Sequence, residues 1–198
     1  MCSDYVNKVV STAISEHDTY SMYGEEQQPL RGRIETYYNN LGISFPGVSQ
    51  PWSAIFVSWV MNINEGTNHT FPISTMHSFY FNRAIKNRLM NAGDFIGWDI
   101  NEYAPSVGDI IQMNRGHNSF DYAYAANNMW YESHSAIVVK LTQKDGVPVA
   151  VVVGGNENVG TGPVSKGTIG VSGIQLNNDG YIIQRDINPY ICIMQNKK

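Results

Sequence analysis

The stretch from Trp52 to Ile63 reads Trp-Ser-Ala-Ile-Phe-Val-Ser-Trp-Val-Met-Asn-Ile. A helix drawn through Pro51 to Asn62 carries Ala54, Ile55, Phe56, Val57, Trp59, Val60 and Met61, and so has no polar side. Such a helix has to be surrounded by protein. It is not a membrane span, because that needs roughly 18 apolar residues without a break, and Ser58 and Asn62 interrupt this run. The rest of the chain must therefore wrap one central helix. Its 198 residues suffice for one domain with one core.

The flanking segments supply the wrapping. Tyr5, Val9, Val10, Ala13 and Ile14 fall at helical spacing behind a Ser3 cap. Ile34, Tyr37, Tyr38 and Leu41 give a second amphipathic helix stopped by Gly42, and Ser74 can cap a fourth over about 75–90. The second half changes period. Gly108 to Met113 reads as a strand, and His134–Leu141 and Val147–Val153 are β-branched runs joined by Lys144-Asp145-Gly146, a hairpin signal. Tyr181–Gln184 and Tyr190–Met194 are shorter strand candidates, and Asn114 to Tyr131 reads as a long polar and aromatic loop. Helices first and antiparallel strands second is an α+β pattern. The expected domain is 1–198, with an N-terminal helical extension over 1–29 and a core over 30–195.

Charge narrows the partners. Only 15% of the residues are charged, and the net charge is −4, which argues against a nucleic-acid partner. No basic start followed by an apolar run opens the chain, so no cleavable signal peptide is expected. A soluble protein follows, acting in the cytosol, exported without a cleaved leader, or already stripped of one. Cys2 reads as an ordinary cysteine after a start codon, with a lipid-modified terminus as the alternative.

Three positions can carry chemistry. Ser53 sits in the first turn of the buried helix; if Pro51 is the first helical residue, the cap falls near Gln50 or Ser49 and Ser53 is not needed for it. A hydroxyl there faces free backbone N–H groups and the positive end of the helix dipole, which favours a nucleophile and its oxyanion. His134 begins one hairpin strand and Asn156 follows the other. A nucleophile, a histidine and a polar orienter have the logic of a triad. Taken singly, each has a plain structural role as well: a helix-start serine, a strand-end histidine, a turn asparagine.

The ordered motifs add a resemblance. Pro51-Trp52-Ser53-Ala54-x-Phe56-x-Ser58-Trp59-Val60-Met61, Ser74-x-x-His77-x-x-Tyr80, Pro105-x-x-Gly108-Asp109, His134-x-x-Ile137-Val138-Val139 and Gly154-Gly155-Asn156 resemble a bacterial family of formerly unknown function. That family is similar to the CHAP and NlpC-type cell-wall peptidases of the papain-like superfamily. The resemblance implies a papain-like fold with the central helix packed on an antiparallel sheet. It implies hydrolysis of amide bonds in peptidoglycan, in the stem peptide or at the sugar–peptide junction. It places the nucleophile on Ser53, the general base on His134 and the third polar residue on Asn156, with Glu157 as the neighbouring acid. Trp52, His77 and Glu157 become substrate-binding candidates, His77 being either a cleft residue or a packing histidine, and Asp109 is read as structural. The biology implied is a monomeric antibacterial effector delivered to the periplasm or cell wall, with a cognate immunity protein.

One departure matters. The resembled enzymes use a cysteine where this chain has Ser53. A thiol is ionised by a nearby histidine, whereas a hydroxyl must lose its proton during attack. A native serine nucleophile, a cysteine replaced by serine, and an inactive fold binding peptidoglycan or a protein partner all fit. No metal or cofactor is expected: His77, His117 and His134 lack zinc-motif spacing. The aromatic and amide-rich stretch Asn114 to Trp130 suits sugar and peptide recognition, or a stable loop.

Overall fold

A computed structural model describes residues 2–158 and 167–198. Four helices come first: α1 (Asp4–Tyr20), α2 (Leu30–Asn40), α3 (Ser53–Ile63) and α4 (His77–Met90). The strands β1 (Phe95–Trp98) and β2 (Ile110–Asn114) follow, then a short helix α5 (Tyr122–Asn127) and strands β3 (Ser133–Lys144), β4 (Val147–Glu157), β5 (Thr168–Gln175) and β6 (Tyr190–Asn196). The strands form one antiparallel six-stranded sheet in the order β1-β6-β2-β3-β4-β5. The expected α+β class holds.

The apolar helix is where its sequence demands. Every residue of α3 from Ser53 to Met61 is buried. Tyr37 of α2 and Tyr80, Phe81 and Ile85 of α4 join it in one core with Ile110, Ile137, Val139 and Val153 of the sheet. Strand alternation sends the intervening Ile111, Ala136, Val138 and Val152 to the opposite face, where they meet Ile174, Leu176, Ile182 and Tyr190. The N-terminal helix is not an extension, as 1–29 was expected to be. Val9 and Ala13 belong to the main core. Glu16, only 6% exposed, takes a bidentate ion pair from Arg33 and a hydrogen bond from the Tyr37 hydroxyl, which locks α1 to α2.

Two devices bring β4 and α3 together. The β3–β4 hairpin turns at Asp145 and Gly146, both at positive φ (51° and 80°), the requirement of a two-residue type I′ turn. Further along β4, a Cβ on Gly155 would lie 2.7 Å from Phe56 Cβ and from Trp52 Cζ3. The missing side chain is what permits this approach. Asp109 is structural, as expected: it accepts from Ser106 N–H, Tyr103 O–H and Asn196 N–H, tying the turn before β2 to β6. Burial nevertheless raises its pKa to about 6.

Other expectations shift. Strands β1 and β5 were not foreseen, because Gly97 interrupts one and Gly170 and Gly173 the other, and glycine weakens a strand signal. A Cβ on Gly97 would strike the backbone of Ile85, so that glycine marks where α4 crosses the sheet. Tyr181–Gln184 contributes only an isolated bridge, Leu176 to Ile182. The segment read as one loop contains α5, capped by the Asp121 carboxylate on Tyr124 N–H. Ser74 does not cap α4; Met76 does. No helix among the described residues is long and apolar enough to cross a membrane. Gly155→Ala is expected to cost about 1–3 kcal/mol by overpacking at α3, read as a lower urea midpoint at unchanged slope.

Candidate active site

Helix α3 begins at Ser53, with Trp52 rather than a residue near Gln50 in the cap position. Trp52 makes no side-chain cap bond, and the first helical hydrogen bond runs from Phe56 N–H to Trp52 O at 3.0 Å. The amides of Ser53, Ala54 and Ile55 thus have no acceptor within the helix, as at any helix start. Ser53 is 1% exposed, and its Oγ lies 2.7 Å from His77 Nε2. The hydroxyl therefore meets an imidazole, but His77 rather than the expected His134.

His77 stands at the start of α4. A reciprocal link fixes that start: Ser58 O–H donates to Ser74 O, and Ser74 N–H donates to Ser58 Oγ, at 3.0 and 3.2 Å. The other ring nitrogen, Nδ1, faces two hydroxyls, Tyr80 OH and Ser135 Oγ, the latter at 2.8 Å. These hydroxyls are themselves 2.9 Å apart. Burial, then the nearby His134 and Arg115, hold the His77 pKa well below its usual value, so the ring is neutral and carries one N–H. With that hydrogen on Nδ1, donated to the hydroxyl pair, Nε2 presents a lone pair to the Ser53 O–H. This is the geometry of a nucleophile with its base and a third group behind it.

His134 has a different partner. Its Nε2 is 2.7 Å from Glu157 Oε1. Burial opposes ionisation of Glu157, but the hydrogen bond and charge of His134, with smaller effects from Arg115 and Arg185, lower its pKa overall. An ionised carboxylate only accepts, so Nε2 of His134 is a donor there and is not free to take a proton from Ser53. Parity explains the exchange. Ser135 shares its face of β3 with the core residues Ile137 and Val139, while His134 shares parity with Ala136 and Val138. At the strand end the His134 ring meets His77 in a T-shaped contact, centroids 5.3 Å apart.

Two further expectations are corrected. Asn156 makes no side-chain hydrogen bond among the described residues; its φ is +56°, and it lies where the β4–β5 register shifts between Gly154 and Glu157. Its part is to turn the backbone, for which asparagine tolerates positive φ, and the shift aims Glu157 at His134. A Cβ on Gly154 would collide with that Glu157 carboxylate. Trp52 is a core residue, 0% exposed, with its Nε1–H donated to Glu25 at 2.9 Å; it offers substrate no surface.

A cleft of about 680 Å³ opens onto Ser53 and His77. Its walls include Tyr38, Pro51, Met76, Arg115, Tyr131, Glu132 and Ser133. No thiol lines it: Cys192 is buried in β6, its pKa driven up by desolvation, and Cys2 is exposed. No cluster of three or more metal-ligating side chains occurs among the described residues. Tyr80, Ser135 and Arg115 were not singled out from sequence. The His77-x-x-Tyr80 spacing carried one signal, since i and i+3 share a helix face.

A family model described as uncharacterized protein conserved in bacteria, DUF2272, matches residues 13–193. The chain belongs to DUF2272. No curated protein and no solved structure matches it. The match takes in α3, α4 and the hairpin, so Ser53, His77, His134 and Glu157 of this DUF2272 member all fall within the family region.

Two measurements check the site. Below pH 6.5 the unfolded chain protonates at position 77 while the folded one does not, so stability falls with falling pH. His77→Gln removes this dependence, so the stability of wild type relative to the variant, read from urea melts, should be flat above pH 6.5 and fall below it. At position 156, Asn156→Gly is expected to be tolerated, whereas Asn156→Ala should cost about 1 kcal/mol. An orienting role for the amide would instead make both substitutions lose activity alike.

Proposed function

We propose that this protein is an amide-bond hydrolase of the bacterial cell wall, with a papain-like arrangement and a serine in place of cysteine. The 2.7 Å contact between Ser53 Oγ and His77 Nε2, two residues that line the cleft, carries this reading. In the reaction, Ser53 Oγ attacks the amide carbonyl as its proton passes to His77 Nε2. The oxyanion forms beside the Ser53 and Ala54 amides at the positive end of α3. His77 then returns the proton to the leaving amine, and water repeats the sequence on the acyl-enzyme. Tyr80 and Ser135 orient the ring and accept its Nδ1–H. His134–Glu157 is a positioning pair that packs against His77 and bears on its charge. The peptidoglycan substrate rests on the motif resemblance, and delivery as an antibacterial effector countered by an immunity protein is the biology that fits it.

Digestion of purified peptidoglycan, read by mass spectrometry of the released fragments, tests this. Wild type should release fragments. Ser53→Ala should lose about 10³-fold or more, as should His77→Gln, since members of such a unit fail together. His134→Ala should lose less. The acid limb of kcat/KM should lie below pH 6.5, because the His77 pKa is held down. Activity surviving in Ser53→Ala sinks the assignment. A wild-type protein that pellets with the wall but releases nothing points to a binding module.

A further inference from the structure

The cleft carries a cation that forms no ion pair among the described residues. Arg115 is the one lysine or arginine among the described residues that line it. Its side chain is half-buried, and among the described residues no carboxylate comes within 4 Å of the guanidinium. The undescribed segment 159–166 contains no aspartate or glutamate to supply one. The only carboxylate of the cleft wall, Glu132, is exposed and forms no pair with it.

The position of Arg115 is built. Asn114, 2% exposed, donates to Phe120 O at 2.8 Å and to Pro189 O at 2.9 Å, and accepts from Phe120 N–H at 2.8 Å. Next along the chain, Gly116 and His117 both take positive φ, and His117 N–H is held by Asn188 Oδ1. Asn118 donates through both its backbone and its side-chain amide to Arg115 O. The residue therefore leaves β2 from a pinned turn. Its charge bears on His77 and Glu157, behind the larger effects of burial and of His134, which places the guanidinium in the electrostatic neighbourhood of the Ser53–His77 pair. A planar fork of donors, partly removed from water, is matched by a carboxylate that it can bind through two hydrogen bonds.

We propose that Arg115 is the carboxylate-recognition residue of the cleft, so that the ligand is a peptide with a free carboxylate close to the amide presented to Ser53. In calling that peptide a substrate, the proposal rests on the hydrolase reading; as a statement about binding it does not.

Binding separates the two. The Ser53→Ala protein would be titrated calorimetrically with two synthetic peptides, L-Ala–γ-D-Glu–L-Lys with the glutamyl α-carboxyl free or converted to carboxamide, the C-terminus amidated in both. The carboxylate peptide is expected to bind about tenfold or more tightly than its carboxamide twin, with a preference that shrinks at high salt. Adding Arg115→Gln should abolish the preference while leaving carboxamide affinity within about twofold. Arg115→Lys, which keeps the charge but loses the fork, should restore only part of it. Equal binding of the two peptides to the Ser53→Ala protein overturns the proposal. So does a preference that persists in Arg115→Gln, or no binding of the carboxylate peptide. Failure of wild type to cleave, with the carboxylate preference intact, overturns the hydrolase reading alone.

Discussion

A helix without a polar side cannot rest on a surface, and the consequences of enclosing α3 run through the molecule. Helices α1, α2 and α4 and the sheet close around it, and its N-terminus is fixed by how near β4 can come. That distance is set by the absent side chain of Gly155, against Phe56 and Trp52. Once β4 is that close, the adjoining register shift delivers Glu157 to His134, and β3 carries Ser135 to His77. A buried serine at the start of a buried helix is thus produced by packing, before any chemistry is asked of it.

Electrostatics then divides the labour between two imidazoles only 5.3 Å apart. One has an ionised carboxylate against Nε2, which commits that nitrogen to donating. The other is sealed from water, sits among hydroxyls and stays neutral. Burial first, then the neighbouring His134 and Arg115, disfavour a positive charge on this second ring. The pair is therefore unequal by construction, and the imidazole that touches Ser53 is the one kept in its basic form.

Much of this could be read from residue types. The all-apolar run predicts a central helix and the Asp145-Gly146 turn predicts the hairpin, while Ser53 at the helix start is a weak signal alone that the motif resemblance raises. What failed was pairing across the fold. His134 was matched to Ser53 by the logic of a triad and by the motif resemblance, but alternation along β3 turns Ser135 towards the helices instead. Asn156 looked like an orienting amide, yet its positive φ shows a backbone role. Strands β1 and β5 were hidden by internal glycines that exist because another element crosses or pairs there. Arg115 carries no local signal, because its meaning depends on a cleft assembled from distant segments.

The two hydroxyls behind His77 have one more consequence. A carboxylate in that place would only accept, and would pin the ring hydrogen to a single nitrogen. Tyr80 and Ser135 can each give or receive a hydrogen bond, and they touch one another as well as the ring. Either tautomer of His77 is then satisfied by turning two O–H bonds. In the proposed reaction the Nδ1–H would stay with this hydroxyl pair while Nε2 takes a proton and returns it, so that no heavy atom behind the ring has to move.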